Sequence, residues 1–232
     1  LDVQLNGKLM NNTNITKNNF LKVISNFAKD NLKTIIISLL IIFLIFLIYQ
    51  GYSFYEKNKL NKLSISYFEN KDIEDELIQI SELNSISKEN SFYSLLSKLE
   101  LINKHIEKNE FDKSIELYNE ILSSKDLDSN YIAVIAIKGA YQLVDIAIEY
   151  NNNEYINVIN KFISLIDDNL DNYQGNKNEL LYLTSILSLN DDSSYKNNSE
   201  LLSLYENIIS NDNISSTIKE RVKKIHEFYI FI

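Results

Sequence analysis

The chain has 232 residues, a net charge of -9, two His, four Gly and neither Cys nor Pro. Without Cys it has no disulfide framework, thiolate zinc site or thiol nucleophile, and two His exclude a His-rich metal site. The acidic balance argues against nucleic-acid binding by phosphate neutralisation, and the scarcity of Gly and Pro against a turn-rich all-β fold.

Thirty-five Ile, 32 Asn and 22 Lys stand against five Ala and one Arg. The abundant residues have AT-rich codons and the scarce ones GC-rich codons, which is the mark of mutational bias. Asn, Lys and Ile therefore carry little information at any position, and Ala, Gly and Arg carry more. Leu1 opens the chain and Met10 is its one Met and a candidate start, so nothing is rested on residues 1–9.

Residues 1–33 form a basic segment of net +3, expected on the cytoplasmic side. Between Lys33 and Glu56 lie 22 residues without a charge. A helix rises ~1.5 Å per residue, so this run reaches ~33 Å, enough for a ~30 Å hydrocarbon core. Ile35–Ile48 holds thirteen large apolar residues and one Ser, and at roughly -0.3 to -0.6 kcal/mol each they favour insertion by about 4–8 kcal/mol. Residues 34–55 are therefore predicted to be a transmembrane helix. Ile35, Leu39, Ile42 and Phe46 lie in its apolar stretch, and Tyr49, Gly51 and Tyr52 at its far end. More than twenty residues precede the run from Met10, and no small-residue cleavage pattern follows it, which argues for an uncleaved anchor. Lys17, Lys22, Lys29 and Lys33 before the run, against Lys57, Lys59 and Lys62 after it, vote for a cytoplasmic N-terminus. Tyr131–Ile148 is a second apolar stretch, but Lys138 and Asp145 would each cost about 2.5–3.5 kcal/mol inside a bilayer. It reads as a buried helix.

Residues 56–232 are predicted to be one all-α domain of about eight helices, with net charge -12 following the basic segment. Ile73, Leu77, Ile80 and Leu83 recur at helical spacing, as do Leu95, Leu99, Ile102 and Ile106, and then Ile115, Tyr118 and Leu122. Asn151-Asn152-Asn153 and Asp191-Asp192-Ser193-Ser194 supply turns. Asn109-Glu110-Phe111 leads through Ser114 to Tyr118, Asn153-Glu154-Tyr155 through Val158 to Phe162, and Ser199-Glu200-Leu201 to Tyr205. Tyr118, Phe162 and Tyr205 are 44 and 43 residues apart, a period that signals helical-hairpin repeats.

Four of the five Ala fall in 129–150. Ala133, Ala136 and Ala140 share a face beside Gly139, with Ala147 further on, and predict a tight crossing at the domain's centre. Phe111, Tyr118, Ala136, Ala140, Phe162 and Tyr205 are the expected repeat-packing residues. Lys138, Gln142, Asp145 and Glu149 form the opposite polar stripe, read as a solvated face or as a partner groove.

Three runs carry a family resemblance. They are Phe20-Leu21-Lys22 with Ile48-Tyr49-Gln50-Gly51-Tyr52-Ser53-Phe54-Tyr55-Glu56-Lys57, then Phe92-Tyr93-Ser94-Leu95 through Asn109-Glu110-Phe111-Asp112-Lys113-Ser114-Ile115, and last Leu201 to Lys219-Glu220-Arg221-Val222. Together they resemble the bacterial single-pass tetratricopeptide-like proteins related to the ancillary subunit of the Sec translocon. Where that family has Ala, this sequence has Ser114, Ile121 and Leu201. The resemblance implies an inner-membrane anchor, a cytoplasmic N-terminus and a periplasmic tetratricopeptide-like solenoid. The implied partners are proteins: translocon components, chaperones or exported polypeptides. No catalytic residue, cofactor or small-molecule substrate comes with it.

Other constellations read as structural. His105 and His226 are single residues in helical stretches, and Asp167, Asp168 and Asp171 lack the spacing and Gly of a calcium loop. Neither His completes a recognisable triad with a Ser. The expected function is an envelope adaptor working by protein contacts. The alternatives are a structural assembly subunit that binds no client and a cytoplasmic-facing scaffold.

Overall fold

The computed structural model describes residues 22, 26–27, 29–189, 195 and 198–231. The candidate start, Lys17, Phe20 and Leu21, and the Asp191–Ser194 turn lie outside the described residues. Those residues form nine α-helices and one short 3-10 turn, with no strand among them.

The first helix, α1 (Leu32–Asn70), is 39 residues long. From Ile36 to Tyr55 its large apolar side chains stand open, 48% exposed at Ile36 and 71% at Ile48. Leu39, Ile42, Phe46, Tyr49 and Tyr52 all lie on this open stretch, and nothing packs within 4 Å of where a Gly51 Cβ would sit. Among the described residues two helices are long and apolar enough to cross a membrane: α1 and the Ser129–Glu149 helix. The second is half buried within the protein and is a core helix, as the cost of Lys138 and Asp145 predicts. Helix α1 runs past Tyr55 to Asn70, and the compact helical unit begins at Ser66.

Eight helices follow. They are α2 (Glu76–Ser87), α3 (Phe92–Glu107), α4 (Phe111–Leu122), α5 (Ser129–Glu149), α6 (Ile156–Ser164), α7 (Asp171–Leu187), α8 (Ser199–Ser210) and α9 (Ser216–Phe231). Short polar side chains start several of them. Asp75 accepts from the Leu77 and Ile78 amides, Ser91 from Ser94, Asp128 from Asn130 and Asn198 from Leu201. Each satisfies backbone donors that a first helical turn leaves free. From α2 onward each helix packs against the next, and α5 packs also on α7, and α7 on α9. Helices α5, α7 and α9 thus lie adjacent in one row.

Two apolar clusters fill the interior. The first gathers Ile102, Tyr118, Ile121, the α5 alanines Ala133, Ala136 and Ala140, Phe162, Ile163 and Leu180. The second gathers Tyr182, Ile186, Tyr195, Leu201, Ile208 and Val222. Helix α7 contributes to both. Ala133, Ala136, Ala140 and Ala147 are all within 1% of complete burial. The small-residue face of α5 is where two rings dock: a Cβ on Gly139 would meet the Phe162 and Tyr118 rings. Those rings lie 5.6 Å apart between α4 and α6. Ser114, at a position where the resembled family has Ala, is buried and donates to the Ile102 carbonyl at 3.2 Å.

Candidate functional site: a cleft along α5, α7 and α9

The row of α5, α7 and α9 is tied together by polar contacts that cross from helix to helix. Glu179 on α7 is buried, 1% exposed. A carboxylate so placed is costly unless its oxygens are satisfied. Arg221 on α9 supplies a two-pronged bond, Nε to one oxygen at 2.8 Å and Nη2 to the other at 2.5 Å. Tyr141 on α5 donates its hydroxyl to Glu179 as well, and receives a bond from Asn176. The Glu179 carboxylate holds the Arg221 guanidinium above its ordinary range, and burial pushes the Tyr141 phenol up. Only Arg presents a planar fork that matches a carboxylate in this way. This accounts for the single Arg of the chain.

Beside that network two adjoining recesses run along the same three helices. One, of about 390 Å³, is lined by Tyr141, Val144, Asp145, Ile148, Glu179, Leu183, Arg221 and Ile225. The other, of about 300 Å³, shares Ile148, Leu183 and Ile225 and adds Ile186, Leu187, Lys224, Phe228 and Tyr229. Ile148 is 60% exposed and Phe228 61%. Large apolar side chains standing open along one continuous cleft are a feature of interaction sites, unlike the single exposed apolar residues common on any surface. Asp145 stands at the cleft wall, where partial burial pushes its carboxyl above the ordinary value.

The polar stripe expected on α5 divides in two. Lys138 donates to Asn103 on α3 at 3.3 Å, and Gln142 accepts from the Tyr118 hydroxyl. Both therefore tie helices together inside the domain. Asp145 lines the cleft, and Glu149 is exposed one turn beyond. The repeat-packing residues are placed as follows. Tyr118 and Phe162 meet in the first cluster, Phe111 packs edge-on against Tyr150 and Tyr155, and Tyr205 stacks on His226 at 3.6 Å. Ile148, Leu183, Ile225 and Phe228 were not singled out by the sequence, because an Ile- and Leu-rich composition hides an exposed apolar residue among buried ones.

A larger recess of about 670 Å³ lies between the α2–α3 turn and the end of α4. Two of its charges, Lys98 and Glu120, pair with each other at 2.7 Å. His105 pairs with Glu110 at 2.6 Å, and His226 Nδ1 is hydrogen-bonded with the Tyr195 hydroxyl. Among the described residues no group of three or more His, Asp or Glu is placed to hold a metal ion.

The class defined by these features is an all-helical protein with one long, open, apolar helix ahead of a compact helical unit. No family model, curated protein or solved structure matches the chain.

Proposed function

We propose that the chain is a membrane-anchored, tetratricopeptide-like adaptor that works through protein contacts at the bacterial cell envelope. In this reading α1 is the single membrane span, the helices from α2 onward form a repeat solenoid, and that domain faces the periplasm. Its partners are Sec translocon components, periplasmic chaperones or exported polypeptides. The observation that carries the reading is the α5–α7–α9 cleft, where Ile148 and Phe228 stand open beside a buried polar network. The near-constant spacing of Tyr118, Phe162 and Tyr205, and the packing of α5 on α7 and α7 on α9, support a repeat architecture. The row of α5, α7 and α9 gives such a stack a surface for extended or helical segments.

A second reading, a structural assembly subunit that binds no client, is favoured by a different surface. Leu77 and Ile78 at the start of α2 and Phe92 at the start of α3 are exposed, Leu77 by 76%. Photocrosslinkers placed singly at Phe228 and at Leu77 in the full-length protein in its host separate the two. Capture of a translocon component, a chaperone or exported polypeptides at Phe228 is the expected result. A single envelope protein captured at Leu77, with nothing at Phe228, overturns the adaptor reading in favour of assembly. A reporter fused after Ile232 that is active only in the cytoplasm overturns the periplasmic placement.

A further inference from the structure

The charges around the α5–α7–α9 cleft are unevenly satisfied. Glu179 and Arg221 neutralise each other, so neither offers a free charge to a ligand. Asp145 has no hydrogen-bond or ion-pair partner among the described residues, and it lines the same recess as Val144, Ile148 and Leu183. Glu149, exposed on the same helix, has none among them either. Lys224 lines the cleft from α9, where Phe228 stands open, and Ile148 stands open on α5. The cleft therefore has the Asp145 carboxylate on its α5 side, open apolar side chains along it and the Lys224 ammonium on its α9 side.

We infer that this cleft receives an amphipathic segment of a partner protein, which sets large apolar side chains on Ile148, Leu183, Ile225 and Phe228 and a Lys or Arg beside Asp145. The inference rests on the adaptor reading and gives it a substrate chemistry. An occupant that covers these side chains also removes water from Asp145. Left unpaired, that carboxylate would be costly to cover, whereas a cation beside it offsets the loss of hydration. A purely apolar occupant supplies no such cation, and an acidic one adds repulsion from Asp145 and Glu149. Asp145 stands exposed at the cleft before anything binds, so an occupant that covers it takes water from a hydrated carboxylate. Lys224 sets orientation: the basic flank of the segment lies along α5 and its less basic flank along α9.

The test uses the full chain in nanodiscs of zwitterionic lipid, with empty nanodiscs as background. Three labelled synthetic peptides are compared by fluorescence anisotropy. One is an amphipathic peptide with leucines four residues apart and lysines beside them. Its twins carry Gln or Glu in place of every Lys. The Lys peptide is expected to bind best, with the Glu twin at least about tenfold weaker. Asp145→Asn should weaken the Lys peptide about three- to tenfold and leave the Gln twin unchanged. Phe228→Ser should weaken the Lys peptide and the Gln twin together. Glu116→Gln, an exposed acid on α4, controls for attraction to the acidic domain as a whole and should change neither. Equal binding of the Lys peptide to the parent and to Asp145→Asn overturns the inference, as does equal binding of the Lys and Gln peptides or no binding of the Lys peptide. If crosslinks at Phe228 to translocon, chaperone or exported chains persist beside such a result, the charge preference alone has failed. If they are absent as well, the adaptor reading has failed with it.

Discussion

Gly139 lies where two rings meet α5, and its missing side chain is what admits them. A Cβ there would lie 2.9 Å from Phe162 Cε2 and 3.1 Å from Tyr118 Cε1. Neither ring has room to swing, since both are buried and the Tyr118 hydroxyl is held by Gln142. Gly139→Ala gains about 1 kcal/mol of helix propensity and meets about 1–3 kcal/mol of overpacking, so a net loss of about 1 kcal/mol is expected. Ala140→Leu has no such offset and should cost about 1–3 kcal/mol. Thermal unfolding measures both, and unchanged midpoints would mean that this face is loosely packed. His226 makes a prediction of another kind. Its ring stacks on Tyr205 and its Nδ1 is hydrogen-bonded with the Tyr195 hydroxyl, while burial lowers its pKa and Glu227 opposes that shift more weakly. Tyr229 stacks on Tyr195 beside it. A base lowered in the folded state takes up protons more readily when unfolded. Its contribution is therefore complete above the unfolded value, about 6.5, and is lost as pH falls from there toward the lowered folded value. Unfolding midpoints at pH 7.5 and 5.5 should differ more for the parent protein than for His226→Gln. Equal differences would show that the imidazole is not shielded.

At the scale of elements, the ends of α3 and α5 are built alike. Asn109 and Asn151 are the described residues outside Gly with positive φ, at 56° and 48°. At each end the same two bonds close the helix. Asn109 N–H reaches Ile106 O and Glu110 N–H reaches His105 O; Asn151 N–H reaches Ile148 O and Asn152 N–H reaches Ala147 O. This is the Schellman arrangement, in which Gly is the usual left-handed residue and Asn its common substitute. Tyr150 then donates to Asn109 at 2.7 Å, binding the two turns together. Asn151→Gly should leave stability within a few tenths of a kcal/mol, whereas Asn151→Val should cost about 1–2 kcal/mol because its branched Cβ crowds the left-handed conformation. Chemical denaturation compares them, and equal stability of the two variants would contradict the assigned turn. The same residues mark the limit of what the sequence discloses. The apolar run of α1, the helix count after it and the buried alanines were legible from period and composition. The two asparagines were not, since 32 Asn in one chain give no reason to single out two. Asp145 was legible as part of a polar stripe. That Lys138 and Gln142 on the same stripe are spent inside the domain depends on Asn103 and Tyr118, partners distant in sequence. The open face at Ile148 and Phe228 depends on how α5, α7 and α9 meet, which no local pattern encodes.

For the helical unit from Ser66 onward, the arrangement of contacts governs how stability is shared. Helices touch their neighbours in the chain and, along one row, the next helix but one. The first apolar cluster ends on α7 at Leu180, and the second begins there at Tyr182. In such a stack stability is nearly a sum of local units and their interfaces, so damage at one end is not transmitted evenly to the other. The Glu179–Arg221 pair gives a place to apply that damage. Arg221 is itself half exposed, but removing it leaves the Glu179 carboxylate buried with the Tyr141 hydroxyl and no cation. Breaking a buried pair costs about 3–5 kcal/mol when the remaining charge is enclosed, and the partial exposure of Arg221 places this case at the lower end, near about 3 kcal/mol. Arg221→Ala should therefore speed amide exchange in α8 and α9 while α3, α4 and the alanine-rich part of α5 keep their protection. Arg221→Lys, which restores the charge without the fork, should recover part of the loss. Exchange measured by mass spectrometry on the full chain decides the matter. Uniform loss of protection from α3 to α9 would show one cooperative block and count against the proposed repeat architecture.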